Sequence, residues 1–403
     1  MPDDPSGPAR PMRPLDGITV LALEHAIAAP FCTRQLADQG ARVIKVERPG
    51  GGDFARGYDD RVRGLSSHFV WTNRSKESLT LDLKHPRAPA ILEQLLARTD
   101  VLVQNLAPGA AARLGLSFDR LHARHPALIV CDISGYGSDG PYRDRKAYDL
   151  LIQSESGFVS VTGSPEAPAK AGCSVADIAA GMYAYSNVLA ALIQRGRTGR
   201  GCRIDVAMLE SMTEWMGFPL YYAFDGAPPP PRAGAAHATI YPYGPFAAGD
   251  GGNVLFGIQN EREWRAFCER VLGQPALADD PRFAGNPARI GARTELQRII
   301  EAVFAGLTSA QVVERLDAAQ IANARVNTMA DVWAHPQLHA RRRWSAVDTP
   351  VGPVPALIPP GLPDGQPARM DPVPALGAHT AAILSELGLT GEEIDRLRAD
   401  GAI

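Results

Sequence analysis

Asp177 is the residue whose type and setting most readily support chemistry. It stands between a Gly-containing stretch, residues 172–176, and a strongly apolar run that reads as a helix over 178–195. That is the N-cap position, where side-chain oxygens accept the helix's free N–H groups. A carboxylate there gains from the helix dipole and, once water is excluded, can attack a carbonyl while the same N–H groups hold the resulting oxyanion. A plain helix cap explains the pattern equally well, because Asp caps helices with or without chemistry. A second cluster follows the run ARVIKV, with glycines at 50–52 flanked by Lys45, Arg48, Asp53 and Arg56. Such a loop can receive the phosphates of a nucleotide-containing ligand, or be a solvated turn with paired charges. It lacks the Gly-Lys-Ser/Thr ending of a Walker loop.

The elements that must position these groups alternate along the chain. Residues 17–23, 41–46, 79–83, 101–104 and 128–134 read as short buried strands, separated by helical patterns near 30–40 and 86–98. This is the rhythm of a parallel α/β sheet. No GxGxxG follows the first strand, so the usual dinucleotide site is not supported. Four consecutive prolines at 228–231 form a stiff boundary, and residues 345–376 read as an extended Pro/Gly-rich connection before two final helices.

Composition excludes several classes. A chain of 403 residues with 45% hydrophobic and 21% charged residues is a globular protein of two or three domains. Its 41 Lys+Arg against 44 Asp+Glu leave a net charge of -3, which provides no field for nucleic acid. The triple Arg341, Arg342, Arg343 beside Trp344 reads as a solvated helix end. Five scattered cysteines and dispersed histidines suggest no disulfide framework and no metal site. The apolar run at 179–193 is interrupted by Ser186 and Asn187 and is shorter than the roughly 18 residues a membrane span needs. These features point to a cytoplasmic protein with no membrane or nucleic-acid partner.

An ordered set of motifs resembles one family nearly end to end: PLDGITVL from Pro14, Pro30 with Cys32, GARVIKVERPG from Gly40, Asp53 with Arg56, NRSK ending at Lys76 before LDLK, Asn105 with Pro108 and Gly109, SGYG from Ser134, TGRG from Thr198, HPQ from His335 and Leu376-Gly377 with His379-Thr380. The chain is similar to the class III CoA-transferases, which also take in carnitine CoA-transferase and alpha-methylacyl-CoA racemase. Within them it most resembles transferases of short dicarboxylates such as mesaconate, itaconate, citramalate or succinate. The resemblance implies an α/β fold: a large Rossmann-like domain over 1–200, a linker at 201–231, a smaller α+β domain over 232–328, a return linker at 329–375, and C-terminal helices over 376–403 packing on the large domain. It also implies an interlocked, ring-like homodimer.

The family's nucleophile falls on Asp177, with Asp149 as the neighbouring acidic residue and Tyr148 beside it. The racemases carry an acid/base His where this chain has Tyr148, so racemization is the weaker alternative; a non-catalytic CoA-binding protein is another. Coenzyme A is implied as a substrate carrier, with no metal, and its contacts map onto His25, Ala26, Arg48, Lys76, Asn105, Leu106, Arg113 and Lys146. Ile27 stands where the formyl-CoA member has Gln, which argues against an oxalate and formyl-CoA pair. Arg61, Arg63, His25 and Tyr148 are the candidates to anchor a distal carboxylate.

Overall fold

The computed structural model describes residues 12–403; most of the Pro-rich leader, residues 1–11, lies outside the described residues. The chain divides into two compact units, one built from residues before 157 with 172–215 and 338–403, the other from 157–171 and 216–337.

In the first unit, strands β1 (Thr19–Leu23), β2 (Arg42–Glu47), β3 (Lys76–Thr80), β4 (Val101–Gln104), β5 (Ile129–Ser134) and β6 (Arg203–Ala207) form one sheet in the order β3-β2-β1-β4-β5-β6. Every pairing is parallel, with Val20 opposite both Val43 and Val101. Segments such as TVLAL and VLVQ are buried along nearly their whole length because helices cover both faces of a parallel sheet. The strand order reverses at β1. Ligands of open parallel sheets collect at such a reversal, outside the carboxyl ends of the strands, which here means beyond β1 and β4.

Helix α1 (Ala28–Asp38) follows β1 and is buried on most of its surface. It packs against a long helix, Val175–Thr198, that runs past both ends of the apolar stretch expected to form it. By length and composition this helix is sufficient to cross a membrane, but Ala176, Ala179, Ala180, Ala184 and Val188 are buried within the protein. It ends where Gly199 turns left-handed, at φ 70°, and donates its N–H to the Arg195 carbonyl. Gly181 sets the approach of the two helices: a Cβ there would stand 2.7 Å from the Ala28 carbonyl oxygen and 3.0 Å from the Phe31 ring.

Part of the expected linker at 201–231 is sheet and helix. β6 completes the sheet edge and helix Met208–Trp215 packs on it, because Val206, Ala207, Met208 and Met212 are apolar side chains that bury there. The 228–231 prolines carry no regular structure.

The second unit has an antiparallel sheet of β7 (Tyr243–Ala247), β8 (Asn253–Gly257) and β9 (Asn323–Arg325), with an aromatic core of Phe246, Phe256, Trp264, Phe267, Phe283 and Phe304. It also takes in residues 157–171, 216–231 and 329–337, outside the expected 232–328.

The expected return linker is not wholly extended. It contains a ribbon of β10 (Trp344–Val347) and β11 (Val354–Leu357), held because Val347 and Val373 bury against Phe69. Further along the same unit, Ile383, Leu384, Ile394 and Leu397 pack with Leu79, Leu81, Ile91 and Leu92. The molecule is thus a mixed α/β protein with a six-stranded parallel sheet and smaller antiparallel sheets.

Gly181→Ala discriminates propensity from packing. In a free helix interior the change stabilises by about 0.5–1 kcal/mol. Here the added methyl meets backbone, and overpacking costs about 1–3 kcal/mol. The expected outcome is a net loss of stability in a denaturant titration; a gain would show that the two helices move apart freely.

Candidate functional site

Beneath the carboxyl ends of β1 and β2 lies a buried network of charges. Glu24, directly after β1, is fully buried; its Oε1 accepts from Lys76 Nζ at 2.7 Å and Lys45 Nζ at 3.3 Å, and its Oε2 from Thr33 Oγ1 at 2.6 Å. Lys45 Nζ also reaches Asp53 Oδ2 at 2.8 Å. Glu47 is paired with Arg56 at 2.8 Å and accepts from Ser78 Oγ at 2.6 Å. Burial alone would raise the pKa of Glu24, but the Lys76 and Lys45 ammoniums override it and the net shift is downward. Burial likewise opposes the shift at Glu47, yet Arg56 and Lys45 pull it down to about 2. Burial lowers Lys76 to about 8, against the pull of Glu24.

The network shapes the turn above it. Asp53 Oδ1 accepts the main-chain N–H of Ala26 at 3.1 Å, and Ala26 adopts a left-handed φ of 61°. That conformation disfavours Ala by about 1–2 kcal/mol, so it persists only where its surroundings impose it. Asn105, beyond β4, accepts the His25 N–H at 2.9 Å through Oδ1 and donates to the His25 carbonyl at 2.9 Å through Nδ2. This reciprocal pair bridges the strand-order reversal between β1 and β4.

One expected CoA contact is already engaged inside the fold. Lys76 is internal, its ammonium shared among Glu24, the Pro30 carbonyl and Asn73 Oδ1, which leaves no hydrogen for a phosphate. Asn105 spends one Nδ2 hydrogen and Oδ1 on the His25 main chain and keeps its second amide hydrogen. Leu106 packs on the core of the first unit, and its N–H donates to Gln104 Oε1. Arg48, Arg113 and Lys146 are exposed and form no ion pair among the described residues, as cations that receive an anionic ligand should be. Lys146 lines an open cavity of about 580 Å³ with Tyr136, Arg145, Leu151, Ser154 and Glu155. Arg145 lies 3.5 Å over the Tyr142 ring, which meets Tyr136 edge-on at 5.5 Å.

Asp149 takes the capping role expected of Asp177. Asp177 is not the cap of the long helix but sits in its first turn, and the cap is supplied from outside. Asp149, at the start of helix Asp149–Glu155, accepts the N–H groups of Ala176 at 2.8 Å and Asp177 at 3.3 Å through Oδ1, and Gln153 Nε2 at 2.7 Å through Oδ2. The N–H groups expected to hold an oxyanion are thus occupied by a carboxylate. Asp177 is part-buried; burial first, and the nearby Asp149 second, raise its pKa to about 7. An always-ionised Asp177 is replaced by one that titrates near neutrality.

Asp177 precedes Gly181 by one turn on the same helix face. Since Gly181 abuts the Ala28 carbonyl, Asp177 lies toward the start of α1, which has no side-chain cap and no acid in its first turn. Backbone N–H groups at an uncapped helix start favour negative charge. Beside them runs an aromatic row: His25 stacks on Phe54 at 5.3 Å, Phe54 meets Tyr58 at 5.7 Å, and Tyr58 meets His68 edge-on at 5.3 Å. Burial and the charges of Asp53 and Asp177 raise Tyr58 to about 12, so its phenol stays a hydrogen donor near Asp177. Tyr148 also acts on Tyr58 but is itself 66% exposed. Burial lowers the pKa of His25, leaving a neutral ring whose Nδ1 has no partner. Tyr58 and Glu24 were not expected from sequence; for Glu24 the signal was an acid directly after an apolar strand. Among the described residues no cluster of His, Cys, Asp or Glu is placed to hold a metal.

A part-buried carboxylate titrating near neutrality, beside a doubly wound sheet with unpaired cations, is the equipment of a covalent acyl-transfer enzyme. The family model for CoA-transferase family III matches residues 15–380, and the chain belongs to that family. It is similar to the succinate–glutarate CoA-transferase of Agrobacterium fabrum, 36% identical over 385 residues that cover 93% of this chain and 96% of the relative. The succinyl-CoA:glutarate CoA-transferase of Mus musculus is 34% identical over 400 residues, covering 97% and 91%. The crystal structure of a CAIB/BAIF family protein from Brucella suis superposes with a TM-score of 0.81 at 34% identity, covering 93% of this chain and 99% of that one.

An enzyme that attacks through an ionised Asp177 would lose about tenfold in kcat/KM per pH unit below its pKa, with the break near pH 7. Asp149→Asn keeps an oxygen to cap the helix but removes the like charge. Its acid limb should move to lower pH while stopping short of an ordinary aspartate, since burial is the larger cause. An unmoved limb in pH–rate profiles would show that the two carboxylates do not interact.

Proposed function

We propose that the protein moves coenzyme A between an acyl-CoA donor and a short dicarboxylic acid such as succinate or glutarate, with Asp177 as the covalent nucleophile. The observation that carries this reading is the raised pKa of Asp177 beside the uncapped start of α1. A high-pKa carboxylate is the better nucleophile once ionised, and the free N–H groups suit the oxyanion that forms as it attacks.

The steps balance without an external reagent. Asp177 attacks the donor thioester carbonyl and expels CoA as thiolate, leaving a mixed anhydride. The thiolate attacks the Asp177 carbonyl carbon, releasing the donor acid and forming an aspartyl-CoA thioester. The acceptor carboxylate attacks that thioester, expelling the thiolate again and forming a second anhydride. The thiolate then takes the acceptor acyl group and frees Asp177. Arg48, Arg113 and Lys146 suit the phosphate groups of CoA. The names of the relatives support a dicarboxylate acceptor, for whose distal carboxylate the neutral His25 and the Tyr58 phenol are hydrogen-bonding candidates.

A homodimer belongs to the same proposal. Only 39% of the most apolar stretch of the long helix is buried, leaving Met182 and Ile193 exposed, and in the second unit Phe218, Tyr221, Tyr222 and Phe224 are exposed too. Apolar surface of this kind marks an association site. A cytoplasmic location is proposed with it, supported by five unpaired cysteines.

With succinyl-CoA as donor and labelled glutarate as acceptor, label should enter the CoA pool, and borohydride or hydroxylamine should trap an adduct at Asp177 during turnover. Asp177→Ala should lower exchange by at least about a thousandfold while retaining CoA binding. Near-normal turnover would remove Asp177 as nucleophile, and exchange confined to monocarboxylates would remove the dicarboxylate assignment. Sedimentation should give a dimer; a stable monomer would remove that part.

A further inference from the structure

Gln153 is fully buried, one turn along helix Asp149–Glu155 from Asp149. A primary amide is costly to bury unless its hydrogens are used. Here Nε2 donates to Asp149 Oδ2 at 2.7 Å. The other oxygen of Asp149, Oδ1, reaches a second helix and accepts the N–H groups of Ala176 at 2.8 Å and Asp177 at 3.3 Å in the first turn of the long helix. A chain of hydrogen bonds thus runs from a buried side chain, through Asp149, to the main chain of Asp177.

Bonds to one oxygen leave a carboxylate free to swing about it, because the side-chain torsions still turn. A bond to the second oxygen fixes its plane. An Asp–Gln pair four residues apart supports a helix wherever it occurs. This pair also sets the separation of two carboxylates, and like charges repel more strongly as they approach. The repulsion acts only while Asp177 is ionised. Attack on a thioester carbonyl turns Asp177 into a neutral anhydride, so the repulsion is relieved as the new bond forms.

We propose that Gln153 is a positioning residue for the transfer reaction: its amide holds Asp149 against the start of the long helix and so keeps a second negative charge beside Asp177. The inference rests on Asp177 being the nucleophile and adds to that reading a residue too buried to touch substrate. Other groups do not take the part of Asp149. Helix Met208–Trp215, packed on both helices, carries Glu210 and Glu214. Arg34 and Asp38 of α1, and Asp132, Arg203 and Asp205 of β5 and β6, are ion-paired, while burial raises the thiols of Cys32 and Cys131. Tyr58 is the further titratable group at Asp177, and among the described residues only the Asp149 charge acts on that carboxyl.

Gln153→Met keeps the length of the side chain and removes the donor. In pH–rate profiles of exchange between succinyl-CoA and glutarate, its acid limb should move to lower pH by up to about one unit, the lower end of what a neighbouring charge produces. Its plateau kcat/KM should fall by less than about tenfold, since a less basic carboxylate attacks more slowly. Added to Asp149→Asn, the same change should move the limb no further, because no charge is left to position. An unmoved or raised limb overturns the proposal, as does an equal movement in both backgrounds; a role in helix stability alone would lower Tm and leave the limb in place. The carboxyl stretch of Asp177, taken by infrared as the difference between wild type and Asp177→Asn, reads the same titration without turnover. Should Asp177→Ala retain exchange, the nucleophile assignment falls, and the infrared titration still decides the part of Gln153. If Gln153→Met does not fold, Gln153→Asn, whose amide is one methylene too short to reach Asp149, carries the same expectation.

Discussion

The buried pairing of Glu24 with Lys45 and Lys76 is the constraint on which the site side of the sheet depends. Charges removed from water are tolerated only when every lone pair and hydrogen finds a partner, and removing one member of such a set costs about 3–5 kcal/mol. Here the set joins the ends of β1, β2 and β3, and through Asp53 it reaches the Ala26 N–H. Asn105 fixes His25 from the β4 side. The turn between β1 and α1 is thereby held from two directions, and with it the direction in which α1 begins. A hydrophobic filling would give the sheet equal or greater stability but could not hold a left-handed alanine by its N–H.

Electrostatics at Asp177 follow from a division of labour between carboxylates. One carboxylate at a helix start is stabilised by the N–H groups there, and its proton is harder to keep. Asp149 takes those N–H groups, which leaves Asp177 with burial and a like charge and without the compensation a cap receives. Had Asp177 capped its own helix, its pKa would be depressed and its lone pairs engaged. Displacing the cap to a neighbouring helix keeps the long helix satisfied while leaving the reactive carboxylate basic.

How much of this was legible in the sequence depended on whether the deciding interaction was local. The strands of the parallel sheet read directly from runs such as VLVQ and LIVCDIS, since burial on both faces suppresses alternation. The place of β6 at the sheet edge was not legible, because a pairing across residues 134 to 203 leaves no local mark. Asp177 was found from its position before an apolar helix, but the cap was assigned to the wrong aspartate because residues 149 and 177 meet only in the fold. Lys76 shows the same limit in reverse. The family resemblance makes Lys76 a CoA contact, and only the tertiary pairing with Glu24 shows that its hydrogens are committed.

The charge balance at the strand-order reversal bears on the setting of Asp177. In a doubly wound sheet the gap between the strands flanking the order reversal usually admits the ligand's phosphates. Here the Asn105–His25 pair bridges the two strand ends, and the ammoniums beneath it are neutralised by Glu24 and Asp53, so no net positive field remains at the reversal itself. The unpaired cations lie at the periphery instead, at Arg48, Arg113 and Lys146, while aromatic and part-buried surfaces stand near Asp177. Keeping the cations away from that carboxylate leaves burial free to raise its pKa. A phosphate site placed at the reversal would bring cations next to that carboxylate, lower its pKa, and weaken it as a nucleophile.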